Sequence, residues 1–119
     1  MSLAGVRVLL VEDEAIIAMT AEDMLDELGC TTVATASSLA EAIAATEPAD
    51  FDVALLDINL NGLDSLPVAD RLLEAGKPFV FTTGYGAAGR GGCHADAPLV
   101  TKPYQLQDLE TAIREALRR

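Results

Sequence analysis

Val6-Arg7-Val8-Leu9-Leu10-Val11 runs directly into Glu12-Asp13, and this junction of a β-rich run with two acids sets the frame for the rest of the chain. The apolar residues follow one another with little alternation, as in a strand covered on both faces. Residues 14–28 then take helical spacing, with Ile17, Ala21, Met24, Leu25 and Leu28 on one side and Gly29 as a C′ stop. A doubly covered strand followed by an amphipathic helix is the first unit of an α/β fold.

The unit repeats along the chain. Residues 31–35 form a weaker second strand. Ser38-Leu-Ala-Glu41 is a capping-box pattern, and the helix it opens carries Leu39, Ala42 and Ile43 inward until Pro48 ends it. Residues 53–56 form a third strand with Asp57 at its end, and Asn61-Gly62 signals a turn. Ser65-Leu66-Pro67 starts a helix that faces Val68, Leu72 and Leu73 inward and stops at Gly76. Residues 78–82 are a fourth strand. Residues 84–92 hold five glycines in nine positions, so a helix there is short or loose. Residues 99–101 are a fifth strand, and residues 105–119 a last helix with Leu106, Leu109, Ile113, Ala116 and Leu117 on one face. The order βαβαβαβαβα implies a parallel sheet with helices on both sides, in one domain spanning residues 1–119.

Composition narrows the function. Nineteen acidic and eight basic residues give a net charge of −11, which argues against a nucleic-acid groove and suits a metal ion or a basic partner surface. Cys30 and Cys93 lack metal or redox spacing and read as reduced thiols. No apolar run is long enough for a bilayer, and no signal peptide opens the sequence, so a cytoplasmic protein without a membrane partner is expected.

Ligands of open α/β sheets bind at the carboxyl ends of the strands. Here those ends carry Glu12-Asp13, Asp57, Thr82-Thr83 and Lys102-Pro103. Two unit charges about 5 Å apart repel by roughly 3 kcal/mol at an effective dielectric of about 20, so three acids in one cleft call for a cation or a proton. Hard oxygen ligands suit Mg²⁺ or Mn²⁺. Lys102 adds one compact positive charge and Thr83 a hydroxyl donor. Such a set suits phosphoryl transfer, where a carboxylate such as Asp57 can be the nucleophile.

VLLVED, LLDINLNG, FTTGYG and TKPY, in this order and spacing, resemble the four motif blocks of the response-regulator receiver family. The resemblance covers nearly the whole chain. It implies a flavodoxin-like three-layer fold with strand order 2-1-3-4-5, an order of which receivers are a well-known example. It implies that Asp57 is the phosphoacceptor, that Asp13 binds Mg²⁺ with Glu12 helping, and that Asn59 lends its backbone carbonyl. Thr83 and Lys102 would hold the phosphoryl oxygens, and Pro103 would follow the lysine through a cis peptide. FTTGYG is similar to the FATGUY receivers, with Thr82 in place of the usual alanine. The sequence departs from the general pattern at Leu99, a position that is usually aromatic, and Tyr85 is the candidate to take over that role. The implied partners are a histidine kinase or a histidine phosphotransfer protein as donor and an unnamed output protein. The readout face would lie on the fourth helix, fifth strand and last helix, with Ile113 and Leu117 inside and Gln107, Glu110 and Arg114 outside. Phosphorylation is expected to order residues 84–96.

Rival readings are weaker. Glu12, Asp13 and Glu14 alone could decorate a helix N-terminus. An aspartyl-phosphate phosphatase needs a second carboxylate two residues after the nucleophile, where Asn59 stands. A pseudo-receiver, a binding module never phosphorylated, sits poorly with an intact Asp13, Asp57, Thr83 and Lys102. Gly84-Tyr-Gly-Ala-Ala-Gly89 matches a dinucleotide fingerprint, but it follows the fourth strand and no good helix comes after it. His94 is alone in a polar loop and reads as solvated. The chain is expected to be a signalling module, with no chemistry beyond its own phosphorylation and dephosphorylation.

Overall fold

The computed structural model describes residues 3–47, 50–84 and 97–118. In chain order these form β1 (Arg7–Val11), α1 (Ala15–Glu27), β2 (Thr31–Ala36), α2 (Leu39–Ala45), β3 (Val53–Asp57), β4 (Asn59–Leu60), β5 (Leu63–Asp64), α3 (Leu66–Glu74), β6 (Phe79–Thr83), β7 (Leu99–Thr101) and α4 (Leu106–Leu117). The main sheet runs β2-β1-β3-β6-β7, with every pair parallel. This is the expected flavodoxin-like order once the two-residue strands β4 and β5 are set aside. Pro48, Tyr85, Cys93, His94 and the helix expected between the fourth and fifth strands lie outside the described residues, as does most of the glycine-rich stretch.

Alternation along the buried strands sends side chains to two cores. Val8, Leu10, Val53, Leu55, Val80 and Val100 pack with Ala21 and Leu25 of α1 and with Leu109, Ala112, Ile113 and Ala116 of α4. Leu9, Val11, Ala54, Leu56, Phe79 and Phe81 pack on the other face with Ala42 of α2 and Val68, Ala69 and Leu72 of α3. β1, β3 and β6 are therefore apolar without alternation because both faces are covered.

Local signals act much as the sequence suggests, with several departures. Ser38 caps α2 by accepting from the Glu41 N–H at 3.2 Å. The Glu41 carboxylate, however, accepts from the N–H and hydroxyl of Ser37 at 2.8 and 3.0 Å, so the return arm of the box reaches one residue further back. Ser65 occupies the N-cap of α3 without capping it; the Leu66 N–H donates to Asp64 Oδ1 instead, at 2.9 Å. Leu73, expected inside, is 63% exposed, because Ala69 and Leu72 define the buried stripe and Leu73 is turned about 100° away from Leu72. Asn61-Gly62 is more than a turn. With φ of 54° and 83° it closes the antiparallel β4–β5 hairpin, the positive-φ pair that a two-residue hairpin loop requires. At the other end of the chain, Leu106 at the start of α4 is 36% exposed, while Ile113 is buried and Leu117 packs partly against the first core. Gln107 is exposed; Glu110 and Arg114 are half-buried and joined by an ion pair at 2.8 Å.

Candidate functional site

The strand order reverses between β1 and β3, so their carboxyl ends flank a crevice. Glu12 follows β1, and its N–H donates to the Ala36 carbonyl at the end of β2. Asp57 is the last residue of β3 and stands opposite Thr82 of β6. Thr83 ends β6, and its carbonyl accepts from the Lys102 N–H at 2.8 Å. The Lys102–Pro103 peptide is cis, as the resemblance implied. Four elements remote in sequence thus deliver their polar ends to one edge.

Glu12, Asp13 and Asp57 each offer a carboxylate oxygen, and these oxygens all lie within 4.8 Å of one another. Glu12 and Asp57 are buried and Asp13 is half-buried. Lys102 Nζ sits between two of them, 2.6 Å from Glu12 Oε1 and 2.8 Å from Asp57 Oδ2. The contact with Glu12 Oε1 is an ion pair and not an aligned hydrogen bond, since that oxygen has no hydrogen-bond partner among the described residues. The remaining lone pairs meet backbone donors. Asp57 Oδ1 accepts from the Asn59 N–H at 3.1 Å, Asp13 Oδ2 from the Asn61 N–H at 3.0 Å and Glu12 Oε2 from the Glu14 N–H at 3.2 Å.

Burial pushes the Glu12 carboxyl up to about 7, with Asp57 adding to the rise and Lys102 and the Glu14 N–H opposing it. Burial works against the Lys102 ammonium too, but Asp57 and Glu12 outweigh it and hold its pKa above the ordinary value. Asp13 also feels burial, yet the Asn61 N–H keeps its carboxyl below the usual range. One lysine facing three acids leaves the cluster short of positive charge. An oxygen-rich, half-open set of this kind fits a hard divalent cation that keeps some of its waters. A cleft of about 220 Å³, lined by Glu12, Asp13, Met19, Thr35, Ser37 and Glu41 among others, opens beside the acids.

The structure therefore brings Glu12, Asp13, Asp57 and Lys102 together and sets Thr83 at the adjacent strand end. Asn59 lies in the hairpin, with its N–H on Asp57 and its side-chain Oδ1 accepting from the Gly62 N–H at 2.8 Å. Tyr85 is outside the described residues. Sequence reasoning missed the Glu12–Lys102 ion pair, the Asn61 N–H on Asp13 and the burial of Tyr104. Only the Asn-Gly pair gave any local hint of these, through the hairpin it closes.

Residues 8–114 match the response regulator receiver domain. The chain belongs to that family. As a receiver it is 35% identical over 124 residues to the transcriptional regulatory protein TcrA of Mycobacterium tuberculosis, covering 98% of this chain and 48% of TcrA. It thus spans about half the length of that curated relative. The solution structure of SdrG from Sphingomonas melonis Fr1 is similar over all of both chains, at 38% identity and a TM-score of 0.86. The beryllofluoride-activated conformation of SdrG, from Pseudomonas melonis Fr1, matches at 37% identity and a TM-score of 0.82 over 96% of this chain and 98% of that one. The PhyR receiver of Erythrobacter litoralis is 31% identical with a TM-score of 0.83, over 97% of this chain and 92% of that one. No helix among the described residues of this receiver is long and apolar enough to cross a membrane.

Proposed function

We propose that this receiver accepts a phosphoryl group on Asp57 from a phosphohistidine and thereby changes which protein it binds. The observation that carries the reading is Lys102 Nζ, 2.8 Å from Asp57 Oδ2 within a cluster of three carboxylates. An Asp57 oxygen attacks phosphorus; the P–N bond breaks, and its electron pair stays on the departing imidazole. Lys102 exchanges its carboxylate contact for a phosphoryl oxygen, and the Thr83 hydroxyl holds another. Asp13, Asp57, the Asn59 carbonyl and Glu12 would hold Mg²⁺ or Mn²⁺, which supplies positive charge to offset the acids and the phosphoryl oxygens.

The donor is a histidine kinase or a histidine phosphotransfer protein, and the output is a protein partner whose affinity the acyl phosphate shifts. The chain is a signalling module that acts only on itself. The beryllofluoride-activated form of the relative SdrG supports this reading, and the segment from Phe81 to Gly84 supports placing the chain with the FATGUY receivers. A second reading, a protein-binding module never phosphorylated, draws on the half-buried Leu99 where an aromatic residue is usual. Titration with beryllofluoride and Mg²⁺, followed by ¹⁹F NMR, separates the two. A bound signal that needs Mg²⁺ and is absent in Asp57→Asn is expected; no bound signal on the wild type would favour the second reading.

A further inference from the structure

β2 forms one edge of the main sheet and pairs with β1 alone. The outer backbone N–H and C=O groups of β2 therefore face no strand among the described residues. The run is Thr31-Thr-Val-Ala-Thr-Ala36, six residues without a charge. Natural edges are often blunted by lysine or proline, and neither occurs here. One bulge interrupts the strand: the register slips between Val8 and Leu9, which leaves Val33 without a partner in β1 and 42% exposed. Beyond the bulge, Ala34, Thr35 and Ala36 pair regularly with Leu9, Leu10 and Val11. Ala34 and Thr35 are exposed.

The surroundings of this edge carry one sign. No lysine, arginine or histidine occurs between Arg7 and Arg71, whereas fourteen of the nineteen acids do. That span supplies α1, β2 and α2, and Arg7 itself is taken up by Asp52 at 3.1 Å. Beside the regular half of β2 lies the cleft of about 220 Å³ described above. Ala15, Ala18, Met19 and Glu22 of α1 line it on one side, Glu41 of α2 on the other, and Thr35 lies between them. Thr35 stands in register with Leu10, which packs in the core against α1. Neighbours in register share a face, so Thr35 is on the α1 side with Met19 and Glu22.

A strand added outside β2 alternates its side chains between the two faces of the sheet. The residue beside Thr35 then enters the cleft. A lysine or arginine there lays its apolar stem along Ala15, Ala18 and Met19 and brings its charge to Glu22. Backbone bonds to the edge supply affinity, and the acids select the sign of the ligand. A second copy of this chain is a poor occupant, because its own β2 is bordered by the same charge.

We propose that the outer edge of β2 docks an extended, basic segment of a partner protein, which extends the sheet and places a lysine or arginine in the cleft between α1 and α2. This goes beyond the phosphoryl reading and does not rest on it, since the edge is open without a phosphate on Asp57.

The test uses the full chain without phosphodonor. Its probe is a capped peptide of alternating valine and arginine, about eight residues long, within the usual range of strand lengths. Titration gives the affinity, and amide hydrogen exchange read by NMR locates the contact. Added protection in residues 32–36 is expected. The same peptide with glutamate for arginine should not bind. The arginine peptide N-methylated at every backbone amide keeps its charge but has no donors, and it should bind about tenfold more weakly or worse. Glu22→Lys and Thr35→Lys, which set a cation in the cleft and on the edge, should each weaken binding by about tenfold. Asp108→Lys makes the same change of charge as Glu22→Lys on the exposed side of α4, and should leave affinity within about twofold. No added protection of β2 overturns the proposal, as does equal binding of the glutamate or N-methylated peptide, or an equal loss in Asp108→Lys. So does a dimer of the chain alone that Thr35→Lys dissociates, which would make a second copy the occupant.

Discussion

Lys102 Nζ stands 2.8 Å from Asp57 Oδ2, although 45 residues separate the two in the chain. The same ammonium touches Glu12 Oε1, so one cation holds two buried carboxylates. Removing one partner of a buried pair typically costs about 3–5 kcal/mol, because the charge left behind stays buried. Lys102→Met should therefore destabilise the metal-free protein on that scale, and saturating Mg²⁺ should restore part of the loss. Urea unfolding in EDTA and in Mg²⁺ measures both quantities. A loss of equal size in the two buffers would contradict the view that cation and lysine share one task.

Glu12 gives the protein a pH signature. Its folded-state pKa is raised to about 7, above the ordinary value of about 4.3 for a glutamate. The folded form then holds more protons than the unfolded chain between those values, so stability falls as pH rises. The contribution is fully present below the unfolded pKa and is lost through about pH 7. In EDTA, the melting temperature of the wild type relative to Glu12→Gln should decline between pH 5 and 7. A flat or rising difference would show that Glu12 ionises normally in the fold.

The main sheet was legible because its strands are short apolar runs and its helices carry clear faces. β7 is read to the residue and β3 to within one, at the Asp57 boundary. The site was legible in outline because polar residues at the ends of parallel strands must meet. The rest depends on contacts that leave no mark in the local sequence. Two-residue strands are too short for any periodic signal, so Asn61-Gly62 shows only as a turn. Leu72 and Leu73 are equally apolar, and only the packing of α3 decides which of them is buried. Tyr104 is a single aromatic residue after Lys-Pro, and nothing around it signals that it is buried in the core. The Glu12–Lys102 pair joins residues from opposite ends of the chain, and a reading built on phosphoryl contacts assigns Lys102 elsewhere.

The β4–β5 hairpin should influence the metal site. Its Asn61 N–H holds Asp13 and its Asn59 N–H holds Asp57. Gly62 has φ of 83°, a conformation that costs an L-residue about 1–2 kcal/mol. Gly62→Ala should lower stability by about that amount and weaken Mg²⁺ binding as well, read by calorimetry. Gly76→Ala, at φ of 71° and away from the site, should lower stability without changing metal affinity. Equal affinity in the two variants would show that the hairpin does not tune the acids.

The start of α2 gives a test remote from the site. Ser38 accepts from the Glu41 N–H, so Ser38→Ala should cost about 1 kcal/mol, the usual value of an N-cap hydroxyl. Phosphoryl chemistry should not change. Denaturant unfolding checks the first statement and acetyl phosphate labelling the second.

The most direct test of the central claim is intact-mass spectrometry after incubation with acetyl phosphate, with and without Mg²⁺, on the wild type and Asp57→Asn. A single phosphoryl adduct on the wild type, dependent on Mg²⁺ and absent from Asp57→Asn, is the expected result. No adduct on the wild type, or an equal adduct on Asp57→Asn, would contradict the assignment of Asp57 as the phosphoacceptor.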